Sequence, residues 1–193
     1  MILSHRLKAL LLAVFAMVSV PVVSGDTYDI DPYHSSVLFA AQHFGAGWNY
    51  GRFNEFEGTI EYDASNPAAT KINVTIKAGS IDTANAKRDK HLRSPDFFNA
   101  AQFPKITFKS TKVEAKGDVM HVTGELTMLG KSNPVSFKLT KTGEGKGMQG
   151  ETLVGFHGEG SLKRGEFGMN YGIAKGALSD EVKLVISVET VKK

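Results

Sequence analysis

Apolar and polar residues alternate through most of this chain, and the alternation stops in one stretch, residues 84–103. Six short segments show the alternation clearly: 56–62, 72–76, 106–108, 122–128, 135–139 and 182–188. A period of two with one polar face is typical of antiparallel strands that bury one side. The chain is therefore predicted to be all-β.

Turn-forming residues separate these segments and set the number of strands. Clusters rich in Gly, Pro, Asn and Asp occur at 64–67, 116–118, 130–134 and 143–150. Segments 37–44 and 153–162 are less regular but rich in strand formers, and 48–56 is expected to join its neighbour through a bend near Gly51. About eight strands with short connections form either an open sandwich or a closed up-and-down barrel. Closure removes exposed edges, and an eight-stranded barrel can hold one small ligand, so we predict the barrel.

The interruption at 84–103 is predicted to be a short helical lid over one mouth of the barrel. Asn85 suits the N-cap of a helix, and Pro95 is expected to end it. Asp89 and Arg93 are four residues apart on such a helix and are expected to pair. The apolar Phe97 and Phe98 follow directly. A second segment that places aromatic residues beside charges, 162–170, precedes the last strand.

The first 25 residues have the composition of a cleaved secretory signal peptide. Arg6 and Lys8 precede an apolar stretch, 9–23, and small residues follow up to Gly25. The stretch is short for a membrane span, and an uncleaved N-terminal anchor is the alternative. Residues 26–193 are then one mature domain of 168 residues, that is 193 minus 25.

Charge and cysteine content exclude two classes of protein. Without Arg6 and Lys8 the 23 basic residues become 21 against 20 acidic ones, so the net charge falls from +3 to +1. A nearly neutral domain lacks the basic surface of a nucleic-acid-binding protein. The chain has no cysteine, which excludes a lipoprotein and requires a hydrophobic core that is stable without disulfides.

Motifs for catalysis or metal binding are missing from the sequence. The histidines after the signal peptide form none of the short spacings typical of zinc sites; they are His34, His43, His91, His121 and His157. There is no Gly-x-Ser-x-Gly motif, and residues 165–168 predict a turn rather than a phosphate loop. We predict no catalytic residue, no metal and no cofactor.

The aromatic residues and the charges of the lid have more than one interpretation. Inward aromatic side chains either meet in a plain core or enclose a lumen for a lipid-like molecule. The candidates for lumen and mouth are Phe39, Phe53, Phe56, Phe97, Phe98, Phe103, Phe108, Leu126, Phe137 and Phe167. The charged residues either pin the lid, grip the polar head group of a ligand, or transfer protons. The head-group candidates are Arg88, Asp89, His91 and Arg164.

Nine motifs, each weak alone, follow one another in a fixed order along the mature domain. They are Tyr28-x-Ile30-Asp31-Pro32-x-His34-Ser35, His43-Phe44-Gly45, Gly51-Arg52-Phe53, Ser80-Ile81-Asp82-Thr83, Arg88-Asp89-x-His91-Leu92-Arg93-Ser94, Asp96-Phe97-Phe98, Phe103-Pro104-x-Ile106-Thr107-Phe108, Gly124-x-Leu126-Thr127 and Arg164-x-x-Phe167-Gly168-Met169. In this order the series closely resembles the YceI-like family of exported polyisoprenoid-binding proteins.

The resemblance implies a lipocalin-like barrel whose lumen takes a polyprenyl chain, an isoprenoid quinone or a fatty-acid-like amphiphile. It also implies a periplasmic location without stable membrane insertion, homodimers, and no established catalytic activity. Three hypotheses follow. The protein is a lipid carrier, or an enzyme that uses Asp89 and His91 on such a lipid, or a stress-linked interaction module whose barrel is only a scaffold.

Overall fold

The computed structural model describes residues 25–193, so the predicted signal peptide, 1–25, lies outside the described residues apart from Gly25. The alternating segments form ten strand segments that follow one another through short connections. They are β1 (Asp26–His43), β2 (Gly47–Phe53), β3 (Phe56–Tyr62), β4 (Lys71–Lys77), β5 (Ile81–Asp82), β6 (Lys105–Lys116), β7 (Val119–Met128), β8 (Lys131–Lys146), β9 (Thr152–Lys163) and β10 (Leu178–Lys192).

All the strand segments belong to one antiparallel sheet, and the pairing of β1 with β10 closes it. The first half of β1 pairs with β3 and its second half with β2, so β2 and β3 together occupy one strand position. Strand β5 is a two-residue addition to the edge of β2. The remaining order, β4, β6, β7, β8, β9 and β10, makes an eight-stranded up-and-down barrel, which confirms the predicted fold class.

Strand boundaries differ from the prediction at three places. Strand β2 runs straight through Gly51, and the break lies at 54–55 instead. Strand β8 begins at Lys131, so the predicted turn at 130–134 is mostly strand. Strand β8 also continues through Gly145, so the first part of the predicted turn at 143–150 is strand as well. Long neighbouring strands supply ladder partners to these residues, and pairing outweighs their weak intrinsic preference for extended structure.

The interrupted stretch contains the helix α1 (Ala86–Leu92). The Asn85 side chain accepts a hydrogen bond from the backbone N–H of Arg88 at 3.0 Å, and the helix ends before Pro95, both as predicted. The predicted pair of Asp89 and Arg93 is wrong, because Arg93 donates to the Ile81 carbonyl and Asp89 accepts from Thr83. Within residues 25–193 no helix has the length and apolar character needed to cross a membrane.

Inward side chains form two apolar clusters, one toward each end of the barrel. The lid end carries α1, the turn at 44–46 and the loop at 164–177, and its cluster includes Phe53, Phe97 and Phe167. The opposite, basal end is packed around Ile60 and Phe156. The two clusters share only partly buried residues.

The wall of the barrel contains an ionic group where β1 bulges between Asp31 and Ser36. The Nδ1 atom of His34 lies 2.6 Å from a carboxylate oxygen of Asp31 and 3.6 Å from one of Glu189. No metal site is predicted from the sequence, yet the three groups converge within 4.8 Å of one another, with His34 exposed and the two carboxylates partly buried.

Hydrogen bonding changes the acidity of both partners in this group. The hydrogen bond to Asp31 raises the pKa of His34 above its ordinary value of 6.5. Partial burial alone would raise the pKa of Asp31, but hydrogen bonds from His34 and from the Tyr33 amide outweigh it and hold that pKa below 3.8.

We predict a pH-dependent stability contribution from this group. A raised folded-state pKa of His34 means that its stabilisation is complete below the unfolded pKa of about 6.5 and is lost as the pH rises through the folded pKa. His34→Gln should therefore lower the free energy of unfolding at about pH 5.5 and have little effect near pH 9. Chemical denaturation of both proteins at both pH values measures this, and an equal difference at the two pH values would contradict it.

Candidate functional site

A cavity of about 580 Å³ lies inside the barrel between the two apolar clusters. Its volume falls within the roughly 300–1,000 Å³ typical of small-molecule sites. Side chains from every full-length strand line it, and most of them are Ile, Val, Leu, Met or Phe. The inward faces of this barrel therefore enclose space rather than meeting across the middle.

Polar groups line the cavity only at the lid end. They come from the end of β1, from β2, from the lid segment and from the loop that precedes β10. The polar lining residues are His43, Asn49, Thr83, Arg88, His91, Arg164 and Tyr171. Toward the basal end the lining consists of side chains such as Ile60, Ile72 and Leu139. The cavity is thus suited to an elongated molecule with one apolar end and one mildly polar end.

Two glycines help to keep the cavity open, because aromatic rings lie against them. A side-chain carbon on Gly51 would come within 2.3 Å of the Phe39 ring, which sits on the neighbouring strand directly opposite. The ring of Phe108 likewise lies against Gly124, which is two residues before its direct partner Leu126 on the neighbouring strand. A missing side chain lets a cross-strand ring lie along the wall. The rings therefore take up less of the lumen.

Most of the residues predicted for the lumen and mouth line this cavity. Eight of the ten candidates do so: Phe39, Phe53, Phe56, Phe97, Phe98, Phe108, Leu126 and Phe137. The other two do not. Phe167 is 1% exposed and packs in the lid-end cluster, and Phe103 lies beside Gly130 in the turn before β8.

Phe97 and Phe98 stand where the lid meets the barrel. Phe98 packs edge-on against Phe53, with ring centroids 5.6 Å apart. Phe97 packs against His91 at 4.9 Å and against Tyr171 at 5.1 Å. Because Tyr171 belongs to the loop before β10, the two segments that interrupt the strand pattern come together at one mouth of the barrel.

Arg88 lines the cavity, and its guanidinium ties the lid to the barrel wall. It donates to the Thr83 hydroxyl at 2.7 Å, to the Thr83 carbonyl at 2.8 Å and to the side-chain oxygen of Asn49 on β2 at 2.7 Å. These three bonds fix the position of the guanidinium. A ligand would therefore meet an ordered, positively charged wall rather than a mobile arm.

Asp89 is buried and is not among the residues that line the cavity. One of its carboxylate oxygens accepts from the Thr83 amide at 2.9 Å and from the Thr83 hydroxyl at 2.5 Å. Together with Arg88 and Asn49 this makes a continuous chain of polar contacts from α1 through Thr83 to β2. Asp89 therefore anchors the lid to Thr83 and does not reach a ligand in the lumen.

His91 lies at the opening of the cavity with its side chain 43% exposed. Its Nε2 atom lies 2.8 Å from a carboxylate oxygen of Asp96, and its ring meets the Tyr171 ring edge-on at 5.0 Å. Tyr171 itself is 48% exposed. The two rings form part of the rim between the lumen and water.

Arg164 is 4% exposed and organises the loop at 164–178. It donates to the carbonyls of Ser179 and Met169 at 2.8 Å, of Tyr171 at 2.9 Å and of Leu178 at 3.3 Å. Burial lowers the pKa of its guanidinium, which the nearby Asp180 partly opposes. The side chain borders the cavity, but its donors are directed to the backbone of the loop.

Four polar residues of the lining were not predicted as site residues: His43, Asn49, Thr83 and Tyr171. Two of them carry a signal in the sequence. His43 is four residues after Phe39 in β1, and Asn49 is four residues before Phe53 in β2. Residues separated by an even number of positions point to the same face of a strand, so each pair shares one face. Thr83 and Tyr171 lie outside the regular strands, where no periodicity applies.

Comparison with known proteins gives one consistent result. The sequence model of the YceI-like domain matches residues 28–190. Protein YceI of Salmonella arizonae is 44% identical over 165 residues, which cover 86% of this chain and 85% of that protein.

Solved structures share the barrel. BcnA of Burkholderia cenocepacia superposes with a TM-score of 0.75 at 25% identity, over 83% of this chain and 98% of that one. A polyisoprenoid binding domain from Saccharophagus degradans, implicated in plant cell wall breakdown, superposes with a TM-score of 0.64 over 86% of this chain and 98% of that one. Its identity is 13%, so this second likeness concerns the fold alone.

We predict that removing the Asp89 carboxylate loosens the lid. Asp89→Ala leaves the buried amide and hydroxyl of Thr83 without their acceptor, which should cost about 2–3 kcal/mol of unfolding free energy. The matched control is Asp96→Ala, because Asp96 is 54% exposed and its loss should cost no more than about 0.5 kcal/mol. Equal effects of the two variants in chemical denaturation would contradict the anchor role.

We also predict that Gly51→Ala reduces the space in the lumen. The new methyl group displaces the Phe39 ring toward the cavity, because Phe39 and Thr83 side-chain atoms occupy its place. Uptake of a fluorescent apolar probe should weaken by about tenfold, ~1.4 kcal/mol. Gly47→Ala, on the same strand with nothing within 4 Å, should leave uptake unchanged. Equal uptake by both variants would show that Gly51 does not control the space.

Proposed function

We propose that this chain, which belongs to the YceI-like domain family, binds a long-chain isoprenoid or similar amphiphilic lipid in its barrel and carries it through the periplasm. Polyprenyl chains, isoprenoid quinones and fatty-acid-like amphiphiles are the proposed classes of ligand. The single observation that carries this proposal is the apolar cavity with polar groups at one end only.

The polarity of the cavity sets the direction in which such a ligand would lie. The hydrocarbon chain extends toward Ile60 and Ile72, where the lining offers no hydrogen-bond partner for a head group. The polar end rests at the mouth beside His91, Tyr171 and Arg88. We assign Asp89 and Arg164 supporting roles, because their polar atoms are committed to Thr83 and to the loop carbonyls.

The energy of such binding needs no special polar chemistry. A large ligand gains about 0.3 kcal/mol per non-hydrogen atom. A chain with on the order of 30–40 such atoms would therefore gain roughly 9–12 kcal/mol, which corresponds to a dissociation constant near or below micromolar. Burial of hydrocarbon supplies this affinity, and the rim determines orientation and release.

The comparisons support the ligand class at a coarse level. A domain with the same fold is described as polyisoprenoid binding, and the barrel of this chain encloses an apolar cavity. Export by the signal peptide belongs to the same proposal and rests on the composition of residues 1–25. A periplasmic site of action and a homodimeric state are also proposed, and both rest on the resemblance to the family.

The geometry of the lid disfavours the alternative in which Asp89 and His91 act on the lipid as acid and base. The Asp89 carboxylate is buried against Thr83, and His91 is directed to Asp96, so the two groups serve separate partners. The second alternative, a stress-linked interaction module, requires no cavity. The space inside the barrel therefore favours the carrier.

We predict that Val74→Phe empties the protein of lipid without unfolding it. Val74 lines the cavity from β4, so a larger apolar side chain occupies space that a ligand would use. Asn73→Phe is the matched control, because Asn73 is the preceding residue on the same strand and is exposed.

Mass spectrometry of organic extracts measures the outcome. Wild type and Asn73→Phe should release a long-chain lipid in near-stoichiometric amount, and Val74→Phe should release about tenfold less while its unfolding free energy changes by less than about 1.5 kcal/mol. A wild-type protein that releases no lipid from its native envelope would overturn the proposed function.

A further inference from the structure

Exposed aromatic residues gather around the mouth of the barrel. Phe44 is 65% exposed, Tyr171 48% and Trp48 38%, and Tyr50 on the same strand as Trp48 is 69% exposed. Phe44 and Tyr171 are held on one rim, because the amide of Phe44 donates to the carbonyl of Ala177 in the loop that carries Tyr171. Large apolar groups in water at one end of a protein mark a surface that contacts something else.

The backbone of Phe44 supports a functional reason for this side chain. Phe44 and Gly45 have φ angles of 48° and 66°, and the amide of Ala46 donates to the carbonyl of His43 at 3.0 Å. Residues 43–46 thus form a β-turn within the three-residue hairpin loop, and both central residues of the turn lie in the left-handed region, where Asn or Gly is preferred and Phe is disfavoured. An exposed Phe at a strained position does not stabilise the turn, so its side chain is explained better by a contact outside the protein.

Lysines accompany these aromatic residues. The Nζ atom of Lys183 lies 4.2 Å from the centroid of the Trp48 ring. Lys87 and Lys90 are exposed on the lid helix, and Lys175 is exposed in the loop of Tyr171. Aromatic residues with amphipathic rings favour the interface of a bilayer, and lysines beside them are attracted to anionic lipid head groups.

We propose that this rim docks reversibly on an anionic phospholipid bilayer. The inference rests on the proposed function, because a lipid that is nearly insoluble in water needs a path between membrane and lumen that avoids water. The mouth beside His91 and Tyr171 would then face the lipid surface, and the lid would be the element that the ligand passes. A second copy of the chain fits this rim less well, since a symmetric contact would place the same lysines against one another.

The chain contains its own probe for this contact, because Trp48 is its only tryptophan. The delipidated protein, as processed by the cell, is titrated with vesicles of phosphatidylethanolamine and phosphatidylglycerol, and separately with vesicles of phosphatidylcholine alone. We expect a blue shift of Trp48 emission, quenching by lipids brominated on the acyl chain, and sedimentation with the anionic vesicles only. Added salt should weaken the binding.

The matched variants are Phe44→Asn and Tyr33→Asn. Asn suits the left-handed turn position, so Phe44→Asn should remain at least as stable as the wild type while its binding to anionic vesicles weakens about tenfold. Phe44 is not part of the cavity lining, so lumen binding of an apolar probe should be unchanged. Tyr33 is 93% exposed in the bulge of β1, away from the mouth, and its replacement should not affect vesicle binding.

Three results would overturn the docking proposal: no spectral shift with anionic vesicles, equal binding by wild type and Phe44→Asn, or a dimer in sedimentation that Phe44→Asn dissociates. The test is separate from that of the proposed function. A protein that binds vesicles but never yields an extractable lipid would support the docking surface and contradict the carrier role. A protein that yields a lipid but does not bind vesicles would support the carrier role and contradict the docking surface.

Discussion

The pairing of β1 with β10 is the interaction on which the rest of the structure depends. It joins the first strand of the described chain to the last along most of both strands, from Tyr28 with Lys192 to His43 with Leu178, with a bulge between Asp31 and Ser36. Closure pairs the strands of the barrel on both sides, except at residues 47–51 of β2, which pair only with β1, and it gives the sheet an inside and an outside. Every later property, the lumen, the mouth and the lid, follows from the fact that one face of each strand points inward.

An inward face does not by itself make a cavity, because large side chains could meet across the barrel. Here the glycines opposite Phe39 and beneath Phe108 let these rings lie along the wall. The basal end is packed, and the lid end is finished by the network that joins Asp89, Thr83, Arg88 and Asn49. Packing at both ends and space between them is the arrangement that a carrier of an elongated apolar molecule needs.

Much of this could be predicted from the sequence, for reasons that are local. Period-two alternation identifies the strands, and Asn85 and Pro95 delimit the lid helix because capping and ring constraints act within a few residues. The side of the wall on which Phe39 or Phe137 lies follows from strand parity in the same way. Each of these features is determined by residues that are close together in the sequence.

What could not be predicted depends on residues distant in sequence. Asp89 lacks the expected partner at Arg93 because Thr83 offers two donors to it, and Arg164 is satisfied by carbonyls of a loop that no periodicity describes. Phe167 and Phe103 lie outside the strands, so the alternation of side chains along a strand does not predict whether they point into the lumen. The size of the lumen also depends on how eight strands close, which composition does not determine.

The most direct measurement is an electron-density map of the protein purified from its native envelope without delipidation. We expect continuous, elongated density inside the barrel, running from Ile60 toward the mouth, with its polar end beside Arg88 and Tyr171. Side chains of opposite walls in van der Waals contact, with no space between Phe39, Val74 and Ile186, would contradict it.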